Sequence, residues 1–131
     1  LQQAIRNLSV SATWSDTGVD LSNHVSIQFE DTLADLACSF AARLDDCMTI
    51  YGKKGKIVLP LPHYSTECFL YDADRNLVEH FVDEETKNGF TYEMLESMRC
   101  IREGKTESAV VPWADTLACA ELFDRIDAAK S

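Results

Sequence analysis

The side chains able to do chemistry in this 131-residue chain are few and scattered. Its three histidines, His24, His63 and His80, are far apart in sequence. His63 stands beside Tyr64 in a loop that follows Pro60 and Pro62, and loops of this kind carry binding residues. That pair is a candidate for contacting a ligand. His24 and His80 fall within strand-like runs and read as structural or solvated. Asp35 could act as an acid or base, but a salt bridge or hydrogen bond at an interface explains it more economically. The paired carboxylates Asp45-Asp46 and Glu84-Glu85 sit in turns and serve solvation. Lys53, Lys54 and Lys56 could meet a phosphate, yet they surround Gly52 and Gly55 as the tip of a hairpin, where lysines also guard strand ends. The glycines at 18, 52, 55, 89 and 104 build neither a GxGxxG nor a Walker loop. No GxSxG elbow and no HExxH are present. Five cysteines (38, 47, 68, 100 and 119) without CxxC spacing fit reduced thiols better than a disulfide frame or a zinc site, so no metal is expected. Asn7-Leu8-Ser9 matches a glycosylation sequon, with nothing else pointing to secretion.

These residues hang on a run of strands. Leu8, Val10, Ala12 and Trp14 alternate with Ser9, Ser11 and Thr13. Val19, Leu21, Val25, Ile27 and Phe29 share one parity, opposite Ser22, His24, Ser26 and Gln28. Ala34, Leu36, Cys38, Phe40, Ala42 and Leu44 alternate with Asp35, Ala37, Ser39, Ala41 and Arg43. Successive strand side chains point to opposite faces, so one face is apolar and the other is small and weakly polar. A flat face of that kind can meet another sheet. Ser9, Ser11, Thr13, Ser26, Gln28, Asp35, Ala37 and Ser39 are therefore the candidate contacts of a homodimer. Further strands are expected around Met48-Ile50, Ile57-Leu59, residues 67–71 and residues 77–82, with an acidic loop over 83–89.

From Phe90 the period becomes helical, through Met94, Leu95, Met98 and Ile101, and Gly104 is the expected left-handed stop. Asp115 is the expected N-cap of a second helix with the stripe Leu117, Ala118, Leu122, Ile126 and Ala129. Strands followed by helices predict an α+β domain over residues 1–131: a largely antiparallel open sheet of about six strands, its apolar face under both helices and its other face free.

Composition sets outer limits. Hydrophobic residues at 46% and charged residues at 26% describe a globular chain. A net charge of −10 argues against nucleic acid and against anionic membranes. No apolar run approaches the roughly 20 residues that cross a bilayer, and LQQAIRNLSV lacks the apolar centre of a signal peptide, so a cytoplasmic protein is expected. The first residue is Leu1 and strand-like residues begin almost at once, so the chain reads as a piece of a longer one.

The stretch 89–126 then resembles the C-terminal end of the Gfo/Idh/MocA oxidoreductases, near the dihydrodiol and xylose dehydrogenase branch. The residues that carry the likeness are Gly89, Phe90, Tyr92 and Glu93; Ile101, Arg102, Gly104 and Lys105; Glu107 and Ser108; Val111 and Pro112; and Asp115, Leu117 and Ala118. Upstream, residues 17–20 and Ile50-Tyr51-Gly52 with Lys54-Gly55 follow in the same order. Ala109 stands where the family often has Pro, and the hairpin at Glu30 lacks the usual Gly. The resemblance implies the C-terminal substrate-binding and dimerisation domain of a two-domain enzyme. NAD or NADP would be held by an N-terminal dinucleotide domain that these residues do not include. The family's Gly-rich loop, Glu-Lys-Pro lysine and Asp-x-Gly-x-His/Tyr motif have no counterpart here, and Lys54 is not that lysine. No catalytic or cofactor-binding residue is carried over, and the piece alone is expected to be inactive. A sugar, polyol or diol would be the parent's substrate, with His63, Tyr64, Tyr92 and Trp113 as cleft candidates. The alternative is a stand-alone interaction or ligand-binding module without a nucleotide domain.

Overall fold

The computed structural model describes residues 3–86 and 88–130. Seven strands and two helices follow in the order β1 (Asn7–Trp14), β2 (Asp20–Gln28), β3 (Leu33–Ser39), β4 (Cys47–Gly52), β5 (Gly55–Pro60), β6 (Glu67–Asp72), β7 (Leu77–Val82), α1 (Thr91–Arg102) and α2 (Trp113–Ala129). Every strand pairing is antiparallel. The α+β class expected from the sequence is what the structure has. The strands are hydrogen-bonded as two sheets, β1-β2-β3 and β4-β5-β6-β7, where a single sheet of about six was expected. The chain divides into two compact units, one of residues 1–44 with 109–131 and one of residues 45–108.

The end of β3 has a local cause. Alternation through Leu44 predicts a long third strand, but β3 ends at Ser39. The Ser39 hydroxyl accepts hydrogen bonds from the backbone N–H of Ala41 and Ala42, both at 3.0 Å. A serine that captures the amides ahead of it turns the chain out of the ladder.

In the first unit the register aligns the rows Ser9–Ser26–Asp35, Ser11–His24–Ala37 and Thr13–Ser22–Ser39 on one face. The opposite face carries Leu8 and Ile27 with Ala34, and Val10 and Val25 with Leu36. Val25 and Ile27, on the central strand, are buried. Helix α2 packs against β1, with Leu122, Ile126 and Ala129 half-buried. Leu117 and Ala118, expected in the same stripe, are exposed. The helix starts at Trp113 after Pro112, two residues before the expected cap, so Asp115 lies in the first turn and favours the helix dipole from there. At the other end the Lys130 ammonium lies 3.6 Å from Asp20 and 2.9 Å from Asp127.

The second unit is built differently. Its sheet is made of two hairpins, β4-β5 and β6-β7, joined through β5 and β6. Gly55 has φ +152°, and a β-carbon there would stand 1.9 Å from the Tyr71 carbonyl oxygen, so the close approach of β5 to β6 needs glycine. The hairpin lysines are not all free at the tip, since Lys56 lies 5.0 Å over the Tyr71 ring. Helix α1 ends as the sequence predicts. Gly104 is left-handed at φ +66°, its N–H reaches the Ile101 carbonyl, and the Lys105 N–H reaches that of Cys100, the paired bonds of a Schellman stop. Both helices were expected over the apolar strand face, but the stripe of α1 is exposed at Phe90, Met94, Leu95, Met98 and Ile101. Polar anchors hold this helix instead. Glu96 accepts a forked pair of bonds from Arg99 and one from the Ser108 hydroxyl, all at 2.6–2.7 Å. Arg99 also binds Glu103 at 2.7 Å. Beneath them lies buried Cys100, whose thiol burial pushes up in pKa, 3.7 Å from the Glu107 carbonyl.

Candidate functional site

The second unit contains an open cleft of about 740 Å³. Two loops form it, the one leaving β5 and the one joining β7 to α1. Tyr64, Phe90 and Tyr92 give it exposed aromatic surface. Its polar rim includes His63, Thr66, Asp83, Thr86, Asn88 and Glu93. Lys87, within the expected acidic loop, lies outside the described residues.

The first loop is set by Leu61, a non-glycine residue at φ +48°. Its N–H donates to the Asp46 carbonyl at 2.8 Å, and the Tyr64 N–H turns back to the Leu61 carbonyl at 3.0 Å. His63 Nδ1 stands 3.6 Å from the Asp46 carboxylate. The His63 and Tyr64 rings meet edge to face at 4.0 Å.

The second loop is organised by Asp83. One carboxylate oxygen accepts the backbone N–H of Glu85 and of Thr86, each at 3.0 Å. The other accepts the Thr86 hydroxyl and, at 2.9 Å, the Tyr92 hydroxyl. These donors, Thr86 foremost and then Tyr92, hold the Asp83 carboxyl down at about 2. Asn88 then accepts the Phe90 N–H at 2.8 Å, and its carbonyl takes the Thr91 hydroxyl at 2.9 Å, which starts α1. Gly89 lies against Tyr64, where a β-carbon would be 3.3 Å from the tyrosine's own. A side chain there would press on Tyr64 by a few tenths of an ångström.

Three residues expected in a substrate cleft, His63, Tyr64 and Tyr92, line this one. Trp113, the fourth, belongs to the first unit, where it opens α2 with its side chain exposed. The eight expected dimer contacts lie on the three strands of the first sheet, Ser9 to Ser39 on the face described above and Gln28 at its end. His80 is placed structurally, stacked on Phe69 at 4.3 Å and 3.0 Å from Glu67. The residue that sequence reading passed over is Asp83, taken as a solvated loop acid. Its signal was the Asp-x-x-Thr spacing, in which an acidic side chain caps the turn that follows.

The cleft offers aromatic faces and hydrogen-bonding groups, with no Lys or Arg among its described residues. That lining suits a neutral, hydroxyl-rich molecule. The described residues do not fit a dinucleotide. Its usual cradle is a glycine loop between a parallel strand and a helix N-terminus. Here the pairings are antiparallel, and Gly55, Gly89 and Gly104 are committed to strand contact, loop contact and a helix stop.

The architecture is similar to part of a solved oxidoreductase. It matches the solved aldose-aldose oxidoreductase of Caulobacter crescentus, a structure complexed with glycerol, with a TM-score of 0.75 over 93% of this chain and 38% of that one, at 13% identity. Among curated proteins the chain is similar to trans-1,2-dihydrobenzene-1,2-diol dehydrogenases. It is 25% identical to the Oryctolagus cuniculus enzyme over 118 residues, which is 85% of this chain and 36% of that protein. It is 24% identical to those of Macaca fascicularis and Homo sapiens, over 95% of this chain and 39% of theirs. The chain therefore spans well under half the length of these relatives, and it resembles their C-terminal part. No protein-family model matches it.

Proposed function

We propose that this chain is the substrate-cleft and oligomerisation domain, residues 1–131, of an NAD(P)-dependent oxidoreductase acting on a sugar, polyol or diol. The observation that carries this reading is the collinear likeness to dihydrodiol dehydrogenases over 85–95% of the chain. The fold likeness to an aldose oxidoreductase supports it. The cleft adds chemistry of the right kind. Aromatic rings can cover the C–H face of a sugar or diol while His63, Asn88 and Glu93 reach its hydroxyls. Asp83 acts one step back, as a positioning residue that fixes Tyr92 at the rim. Dinucleotide binding and the hydride step are assigned to a part of the protein outside these residues. Five free cysteines support a reducing, cytoplasmic setting, and no helix of the described residues is long and apolar enough to cross a membrane. In the oligomer, two copies meet through the Ser/Thr/Ala face of β1-β2-β3.

The test is calorimetric and kinetic. The 131-residue chain should show no stoichiometric NADPH binding by titration calorimetry and no turnover of sugars or trans-diols with NAD or NADP. The same chain joined to a dinucleotide-binding part should reduce NAD or NADP with such a substrate, and Tyr64→Ala should raise KM more than it lowers kcat. Stoichiometric micromolar NADPH binding by the 131 residues alone would overturn the reading.

A further inference from the structure

We infer that Asp46 is a positioning residue of the cleft: it holds the proton of the neutral His63 ring on Nδ1 and so leaves Nε2 as the acceptor of a substrate hydroxyl. This rests on the substrate class proposed above and assigns one point of its recognition.

Asp46 immediately precedes β4 and reaches the loop after β5 in two ways. Its backbone carbonyl accepts the Leu61 N–H at 2.8 Å, and its carboxylate lies 3.6 Å from His63 Nδ1. Leu61 is held left-handed at φ +48°, a conformation that a non-glycine residue keeps only where its surroundings impose it. The Tyr64 N–H closes the turn on the Leu61 carbonyl at 3.0 Å, and the Tyr64 ring stands edge to face against the imidazole at 4.0 Å. The imidazole is therefore set by a carboxylate at one nitrogen and by a neighbouring ring, in a loop that lines the cleft.

Which nitrogen keeps the proton follows from charge. A lone pair facing a carboxylate is repelled and an N–H facing it is attracted, so the group at one nitrogen decides the tautomer. A solvated histidine ring favours the proton on Nε2, and Asp46 opposes that preference. The pair is half-exposed, with 57% of the His63 side chain and 48% of the Asp46 side chain accessible, so it contributes little to stability. Its consequence is chemical. With Nδ1–H turned to Asp46, Nε2 offers a lone pair and no hydrogen. A substrate hydroxyl can donate to it, whereas an ether oxygen at the same point meets lone pair with lone pair. The cleft thus selects an alcohol at His63 over its O-methyl derivative.

Long-range nitrogen–proton NMR of the histidine-labelled chain, at about pH 8, where an imidazole is ordinarily neutral, reads the tautomer directly. His63→Gln assigns the signal by deleting it. Nδ1–H should be the major form at His63, and Asp46→Ala should lower the ratio of Nδ1–H to Nε2–H by at least about threefold. Asp46→Asn, whose amide oxygen still accepts, should fall between. Leu61 bonds to a backbone carbonyl, which both variants keep, so the loop stays in place. Added trans-cyclohexane-1,2-diol should then move the wild-type Nε2 resonance, and its dimethyl ether should not. A wild-type ring protonated on Nε2, or a ratio unchanged in Asp46→Ala, would overturn the role of Asp46. A diol that shifts the Tyr64 and Tyr92 amides without moving Nε2, or an ether that moves it equally, would overturn the hydroxyl contact and leave the substrate class standing. A diol that shifts nothing in the cleft would sink the substrate class and the contact with it.

Discussion

The two units spend their apolar residues in different ways. In the first, β2 is flanked on both sides and α2 packs on β1, so Val25 and Ile27 disappear from solvent. In the second, Met48, Ile50 and Phe81 are all substantially exposed, and among the described residues the one buried hydrophobic residue is Cys100 of α1. What holds the second unit is backbone pairing in two hairpins together with charge-assisted bonds around Glu96 and Asp83. The first unit takes two side chains of its central strand out of water, though Leu36 and Phe40 stay exposed. The second is shaped mainly by directional bonds, and directional bonds place loops accurately. That is the property a cleft wall needs.

The sharpest way to break this contrast is a matched pair of truncations. Ile27→Ala removes a side chain that is 3% exposed, and Ile50→Ala removes one that is 52% exposed. The first should cost about 2–5 kcal/mol, and the second under about 1 kcal/mol. Urea unfolding followed by circular dichroism reads both. Equal losses would mean that the second unit has a core comparable to the first.

Acid should separate the units next. The Arg99 fork and the Ser108 hydroxyl hold Glu96 at about 2, against an ordinary 4.5. The folded state therefore binds its proton later than the unfolded chain does. The resulting stabilisation is complete above pH 4.5 and is lost as pH falls toward about 2. Glu96→Gln should lower stability at neutral pH and flatten the acid limb of the unfolding curve, because the variant has no proton to gain there. A variant whose acid limb overlays the wild type would show that the fork does not stabilise the helix.

How much of this was legible in the sequence follows the same division. Alternation placed β1 and β2 and the small-residue face, since period two is a direct consequence of strand geometry. Gly104 was legible because a left-handed residue after a helical run is a strong local signal. The end of β3 was not. The apolar parity continues to Leu44, and only the Ser39 side chain, competing for the backbone, stops the ladder. The start of α2 was misplaced because Pro112 sets it without a side-chain cap, so Asp115 drew attention it did not merit. In the cleft, His63 and Tyr64 stood out as chemistry in a Pro-flanked loop. Asp83 did not, because among Glu84 and Glu85 it looks like one more solvated acid, and what distinguishes it is the Thr86 and Tyr92 donors that the fold brings to it.

That last point can be read at one carboxyl group. If the loop bonds make Asp83 a positioning residue, removing its donors should release its titration from about 2 back toward the ordinary 3.8. Thr86 supplies the leading contribution, through both hydroxyl and N–H, and Tyr92 a lesser one. Thr86→Val, which takes away only the hydroxyl, should therefore raise the titration midpoint more than Tyr92→Phe, and both variants should stay folded. Carboxyl-carbon NMR of the labelled chain, followed through the acid range, measures each directly. A Tyr92→Phe midpoint identical to the wild type would mean that Asp83 does not hold Tyr92 in solution. The tyrosine at the rim would then be free to swing, and the second unit would lack the precision that distinguishes it from the first.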